Sequence, residues 1–218
     1  MMNIPLLYRA SEEIGDKRYA YAANAHADKT MENHVRADGS CFHIVEYNAE
    51  NGEFIKSHTG QGYNETSSWS RGQAWGIYGF ALAYRYTKNK TYFDCARRIA
   101  DYFISNIIRT DFIPLCDFRQ PEDVEIYDST AGACAACGML EISKFLVGRE
   151  KKTYYDAALA ILKSLNENCC DWSDEEDAIL LNGTERYTAN IHIPIIYGDY
   201  FFAEGIYRLL GYDSDILW

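Results

Sequence analysis

The sequence predicts an all-α protein in which helical hairpins stack side by side into an α/α toroid with an inner and an outer ring. Three observations carry this expectation. A pattern K-x-Y-x-x-x-A-x-x-x-(A/L) recurs in KRYAYAANAHA (17–27), KTYFDCARRIA (90–100) and KTYYDAALAIL (152–162). Each copy follows a segment that is apolar or small on nearly every face. Connections alternate between a few residues and long loops. Units of this kind bury a continuous core only by stacking on their neighbours.

Taken in order, residues 2–14 are expected to form the first inner helix. Residues 17–27 form the first outer one, after the Gly15-Asp16 break. The second pair is 71–87, containing GQAWGIYGFALAY, and the helix beginning at 90. In the latter Tyr92, Ala96, Ile99, Ala100, Phe103 and Ile107 form one stripe, while Asp94, Arg97, Arg98 and Asp101 face water. The third pair is 128–147, containing STAGACAACGML, and 152–162. A seventh helix, DYFFAEGIYRLL (199–210), again has the inner character. A helix apolar all round is a buried one, so 2–14, 71–87, 128–147 and 199–210 are predicted to be buried. Short inner-to-outer connections make antiparallel hairpins. The long loops 36–69, 109–127 and 170–198 then emerge on one face, where function gathers. Short strands are expected inside them at 41–48 (CFHIVEYN) and 178–187 (AILLNGTERY).

Length and charge bound the function. The 218 residues suit a single domain spanning 1–218. A net charge of −11 argues against nucleic acid and anionic membrane surfaces as partners. No run approaches the ~18 apolar residues of a membrane helix. The opening MMNIPLLYRASEEIG lacks a basic region and a small-residue cleavage site, so no signal peptide is expected. Seven scattered cysteines, an odd number, suit a reducing compartment and so a cytoplasmic protein. CAAC at 134–137 has no second pair at zinc spacing and lies in a small-residue helix. Phosphate-loop, dinucleotide and nucleophile-elbow motifs are absent. No metal and no cofactor are expected.

The window SSWSRGQAWG (67–76) concentrates the chemistry. Ser70 and Gln73 read as a capping box, S-x-x-Q, which starts the helix at Arg71. Trp75 lies four residues on, over the same face as Arg71, and Trp69 sits just outside the cap. A helix N-terminus and a guanidinium fork favour an anion, and indole faces suit the apolar face of a pyranose ring. The bland alternative, Trp75 as core and Arg71 as a surface cation, stands level with this on the residues alone. The loop before the window adds His43, His58, Gln61 and Tyr63. Asp128 heads the third inner helix, where an N-cap role is expected.

RGQAWGIYGFALAYRYT, DSTAGACAACGMLEI and IIYGDYFFAEGIYRLL together resemble the unsaturated glucuronyl hydrolases, glycoside hydrolase family 88. The opening MMNIPLLYRASEEIGDKRY is similar too, so the resemblance covers essentially the whole chain. It implies an (α/α)6 barrel of twelve helices, whose C-terminal portion these seven resemble. It also implies release of a 4,5-unsaturated uronic acid from lyase-generated oligosaccharides. An aspartic acid protonates C4 of the vinyl ether, water adds at C5, and the resulting hemiketal opens and expels the remaining sugar. The usual carboxylate pair acting at the anomeric carbon is not used. By resemblance His43 and Gln61 take supporting catalytic roles, and Trp69, Arg71 and Trp75 bind substrate. The family's acid/base aspartate, in an Asp-Asn pair, directly precedes a segment like the Met-Met-Asn that opens this sequence. A second aspartate lies further upstream. Neither is present, so the chain is expected to be a fragment that is inactive alone. A catalytically dead carbohydrate-binding remnant and an unsaturated rhamnogalacturonyl hydrolase are the alternatives. A helical-repeat interaction module is disfavoured by the clustered tryptophans. Oligomeric state stays open.

Overall fold

The structure is a computed structural model describing residues 1–173 and 175–212; residues 174 and 213–218 of the expected domain lie outside the described residues. Among the described residues the order is α1 (Ile4–Ile14), α2 (Lys17–Asn33), β1 (Ile44–Tyr47), β2 (Phe54–His58), α3 (Ser70–Thr87), α4 (Lys90–Ile107), α5 (Ser129–Lys144), α6 (Gly148–Asn168) and α7 (Ile196–Leu209). Helices α1 and α2, α3 and α4, and α5 and α6 pack as hairpins. Helices α1, α3, α5 and α7 pack on one another in sequence order to make the inner layer.

Small residues set the inner spacing. Every residue of α5 from Ser129 to Ser143 is buried. A Cβ added at Gly138 would lie 2.8 Å from the Tyr78 backbone nitrogen and 2.9 Å from its Cα. The two backbones therefore touch there, and the larger side chains of α3 interdigitate around the contact. The outer layer follows from the repeat. Tyr92 of α4 donates to Asp28 of α2 at 2.7 Å, and Tyr154 of α6 donates to Asp101 of α4 at 2.8 Å. The repeat tyrosines of the second and third copies thus tie their helices to the preceding outer one. Asp16 and Asn89 cap α2 and α4 by accepting from the amides of Arg18 and Thr91.

The inner helices α3, α5 and α7 run parallel and are locked at both ends by buried charge. At the C-terminal end Arg85 of α3 and Arg208 of α7 both reach Glu141 of α5, the latter at 2.7 Å. Arg208 also donates to Glu204 at 2.7 Å, which accepts from Tyr78 at 2.8 Å. At the N-terminal end Arg71, Asp128 and Tyr197 meet.

Four expectations need correction. Helix α1 is buried only at Ile4, Pro5 and Tyr8, and Leu6 and Ile14 are about two-thirds exposed. Helix α7 is likewise one-sided, with Ile196 and Ile206 exposed. Both lie at the edges of the inner layer and have neighbours on one side only, whereas α3 and α5 are flanked on both. The strand at 41–48 forms as β1, paired antiparallel with β2. That at 178–187 does not: its pairings are the isolated bridges Cys170–Leu180, Gly183–Ile193 and Arg186–Ala189. The capping box is absent as well. Ser70 Oγ donates to the Cys116 carbonyl at 3.0 Å and Gln73 Nε2 to the Gly39 carbonyl at 3.1 Å, so long-range acceptors have claimed both side chains.

Gly138→Ala should destabilise the protein by about 1–3 kcal/mol in urea unfolding, although alanine is the better helix former, because the added methyl meets backbone rather than a movable side chain. An unchanged unfolding midpoint would show that α3 and α5 can separate at no cost.

Candidate functional site

The long loops do emerge together, and they interlock. Gln61 Nε2 donates to the Glu185 carbonyl at 2.6 Å, and the Tyr187 amide donates back to the Gln61 carbonyl at 2.8 Å. Trp69 forms a bridge with Asp117, and the Ser129 amide donates to the Asn182 carbonyl. Asp117 organises the middle of this face. It is fully buried and its carboxylate accepts from the amides of Tyr63 (3.1 Å), Ser68 (3.0 Å) and Arg119 (2.9 Å). Arg36, stacked on Phe42, and Arg119 both donate to carbonyls of the 66–67 segment leading into Trp69.

On this frame the five residues expected at the site are linked in series. Gln61 presents its amide to His43 Nδ1 at 3.1 Å. The His43 ring lies on Trp69 at 4.4 Å between centroids, and Trp69 meets Trp75 edge-on at 5.2 Å. The Arg71 guanidinium carbon stands 5.2 Å from the Trp69 ring centroid. They differ in access. His43 and Trp75 line a cavity of about 170 Å³ shared with Met1, His26, Phe42 and Gly72. Trp75 also walls a larger cleft, about 870 Å³, against α1. Trp69 and Arg71 stand behind them, 1% and 0% exposed. The indole nitrogen of Trp69 is buried without a hydrogen-bond partner among the described residues.

Arg71 is neither a surface cation nor an open anion site. Its Nε donates to Asp128 Oδ2 at 2.9 Å, Nη1 to the Tyr197 hydroxyl at 2.5 Å, and Nη2 to the Thr184 carbonyl. Asp128 stands at the N-cap of α5, but its side chain makes no capping bond there; its other oxygen accepts from the Thr184 amide at 3.3 Å. The N-cap expectation for its carboxylate therefore fails, because Arg71 offers a stronger, charge-assisted partner. Burial raises the Asp128 carboxyl above its usual range, and Arg71 and the Thr184 amide oppose this. His58 stands apart from this wall, 2.6 Å from Glu46 across the hairpin. Cys134 and Cys137 are core residues; Cys137 Sγ donates to the Phe201 carbonyl at 3.1 Å. Among the described residues no group of three His, Cys, Asp or Glu side chains is arranged to hold a metal ion.

Asp117, Thr184 and Tyr197 were not singled out from sequence. Nothing local marks Asp117, although the Gly60-Gln61-Gly62 turn hints at a backbone approach. A Cβ at Gly62 would lie 2.6 Å from the Asp117 carboxylate, and one at Gly60 would lie 3.0 Å from His43 Cε1.

Comparison with known proteins decides the family. The unsaturated glucuronyl hydrolase of Bacillus sp. (strain GL1) is 37% identical over 215 residues, covering 96% of this chain and 57% of that protein. The unsaturated chondroitin disaccharide hydrolase of Streptococcus pneumoniae is 34% identical over 225 residues, covering 100% of this chain and 56% of that protein. The chain belongs with the unsaturated glucuronyl hydrolases. A solved structure of the Bacillus sp. GL1 hydrolase superposes with a TM-score of 0.90 at 37% identity, over 95% of this chain and 56% of that one. A mutant unsaturated glucuronyl hydrolase from Streptococcus agalactiae, complexed with dGlcA-GalNAc6S, gives 0.85 at 33% identity, over 97% and 58%. The chain thus spans about half the length of these hydrolases. Its helical layers are part of their α/α barrel. No family profile matches the chain.

Two outcomes follow from the site. Breaking the buried pair with Arg71→Met should cost about 3–5 kcal/mol, since it strands a buried carboxylate, and Arg71→Met with Asp128→Leu should recover much of that loss in denaturant unfolding. Burial also holds the His43 ring at about 4, below its ordinary 6.5, against the opposing pull of Asp117. The folded protein then binds fewer protons there than the unfolded chain. The His43 contribution is complete above pH 6.5 and is lost as the pH falls towards 4. The thermal midpoint should drop across that window, and less steeply in His43→Gln.

Proposed function

We propose that this chain forms one wall of a glycoside-hydrolase site for 4,5-unsaturated uronic acid oligosaccharides, and that it binds the unsaturated ring without itself supplying the acid. The observation that supports this best is the contiguous His43–Trp69–Trp75 wall at the N-terminal ends of the inner helices. Trp75 and His43 face a cavity, and an aromatic face beside a hydrogen-bonding ring suits a sugar. Trp69 backs this wall as a buried support, 1% exposed. Its relatives' names and the bound dGlcA-GalNAc6S of the Streptococcus agalactiae structure point to the same substrate class.

Arg71 enters this reading as the brace that fixes Trp69 and Tyr197 rather than as a ligand. Gln61 ties the 59–63 and 184–187 loops together through its side-chain amide and so supports the loop that carries His43. Protonating C4 requires a carboxylic acid within reach of that carbon. Asp128 is consumed by Arg71 and Asp117 by three amides, so neither carboxyl near the wall is free for this. The net charge of −11 opposes nucleic acid or an anionic membrane surface as partner. The seven free thiols fit a reducing compartment, here taken as the cytoplasm.

Titration calorimetry of the chain with an unsaturated uronic disaccharide should show binding that Trp75→Ala weakens by about tenfold or more, with no loss of the unsaturated ring's ultraviolet absorbance. Turnover by residues 1–218, abolished in Asp128→Asn or Asp117→Asn, would place the acid within this chain and overturn the binding-only reading.

A further inference from the structure

His43 makes two hydrogen bonds through one nitrogen, and both have the same direction. The Gly60 and Gln61 amides each donate to Nδ1 at 3.1 Å. A nitrogen accepting from two N–H groups has no place for a proton of its own. A neutral ring must then carry its single proton on Nε2. Protonation of Nδ1 would set three N–H groups against one another. We propose that the Gly60-Gln61-Gly62 turn and Asp117 position His43 as a neutral ring with its only proton on Nε2, a fixed hydrogen-bond donor to a sugar oxygen rather than an acid or a base. The assignment of the acceptor to a sugar rests on the function proposed above; the position of the proton does not.

The device is built from residues the binding wall does not itself use. Neither glycine has room for a side chain: a Cβ at Gly60 would meet Ile44 at 2.9 Å and His43 at 3.0 Å, and one at Gly62 would meet Ser67 at 2.5 Å and Asp117 at 2.6 Å. A side chain at either position would have to displace these neighbours. Asp117 holds the far side of the turn through the Tyr63 amide. The charged and titratable groups facing His43 are Asp117, His34 and Arg71; the first favours a charged ring and the other two oppose it. Asp117 cannot turn to pair with the ring, because its two oxygens already take three amides. Trp69 closes one face of the imidazole. Burial then keeps the ring uncharged through the neutral range.

The test labels the histidine nitrogens of the 218-residue chain and records long-range proton–nitrogen correlation spectra from about pH 5.5 to about 8. His43 should show the Nε2–H pattern at every pH. A wild-type signal with Nδ1–H, or one that titrates near 6.5, overturns the proposal. In Gly60→Ala, or in Asp117→Asn if the first does not fold, the two tautomers should interconvert and the ring should titrate nearer its ordinary value. A purely structural role for the turn would leave the tautomer pattern unmoved. In a second arm, His43→Asn should weaken binding of an unsaturated uronic disaccharide about tenfold more than His43→Gln, because the longer amide places its N–H near the Nε2 position. Equal losses would overturn the donor role. Absence of sugar binding by the wild-type chain would count against the function proposed above, and the spectra would still decide the position of the proton.

Discussion

The arrangement of the site hangs on the ion pair between Arg71 and Asp128. Three parallel helices, α3, α5 and α7, begin at this point, and each N-terminus carries the positive end of its backbone dipole. Adding a guanidinium to that cluster would be unfavourable without an anion among them. Asp128 supplies it from α5, Tyr197 accepts from α7, and the Thr184 carbonyl closes the set from the loop above. Both charges are fully buried, so solvent does not weaken the attraction. The pair gains little over an apolar substitute in stability, but it fixes which residues of three helices and one loop meet. With Arg71 pinned from beneath, Trp69 has a rigid floor, and His43 and Trp75 take their places against its ring.

The opposite ends of the same helices repeat the device with different residues. Glu141 lies between Arg85 and Arg208, and Glu204 completes the cluster from α7. Between the two clusters the helices touch through small residues, above all at Gly138. Small-residue contact alone permits sliding by a turn, since α5 offers alanine, glycine or cysteine at every position from Ala131 to Gly138. Charges at both ends forbid that slide, because a shift by one turn would strand a buried ion at each end. Specific register at the mouth is thus a property of the whole length of the helix.

Much of this was legible in the sequence. The alternation of all-round apolar helices with amphipathic K-x-Y helices describes α3 to α6 well, because composition reports burial directly when neighbours lie on both sides. It fails for α1 and α7, where apolar residues such as Leu6 and Ile196 face outward at the edges of the inner layer. Composition records a tendency to be covered and not what covers it. The capping box failed for a related reason. Ser70 and Gln73 have the right spacing, but Cys116 and Gly39, 46 and 34 residues away along the chain, offered acceptors no local pattern reveals. At the candidate site, His43, Gln61, Trp69, Arg71 and Trp75 were singled out through family resemblance and the 67–76 window. Asp117 was not, because its function is to collect amides from a distant loop. Arg71 was found but misjudged, since an arginine beside tryptophans reads the same whether its fork faces a ligand or a buried carboxylate.

That misjudgement bears on how the wall works. Had Arg71 faced the cavity, the site would hold its sugar by charge, and affinity would fall steeply with salt. With Arg71 and Asp128 paired inside, the accessible wall is an indole, an imidazole and backbone. On the function proposed above, such a surface would read shape and hydroxyl geometry. It also separates two tasks that compete for the same groups. A residue that grips a sugar ring must stay in one protonation state throughout turnover, whereas an acid must change state within it. His43, Asp117 and Asp128 each have fixed partners, amides for the first two and a guanidinium for the third. On the function proposed above, a wall built this way would bind the same ring before and after any proton moves, and would leave the moving proton to a group outside it.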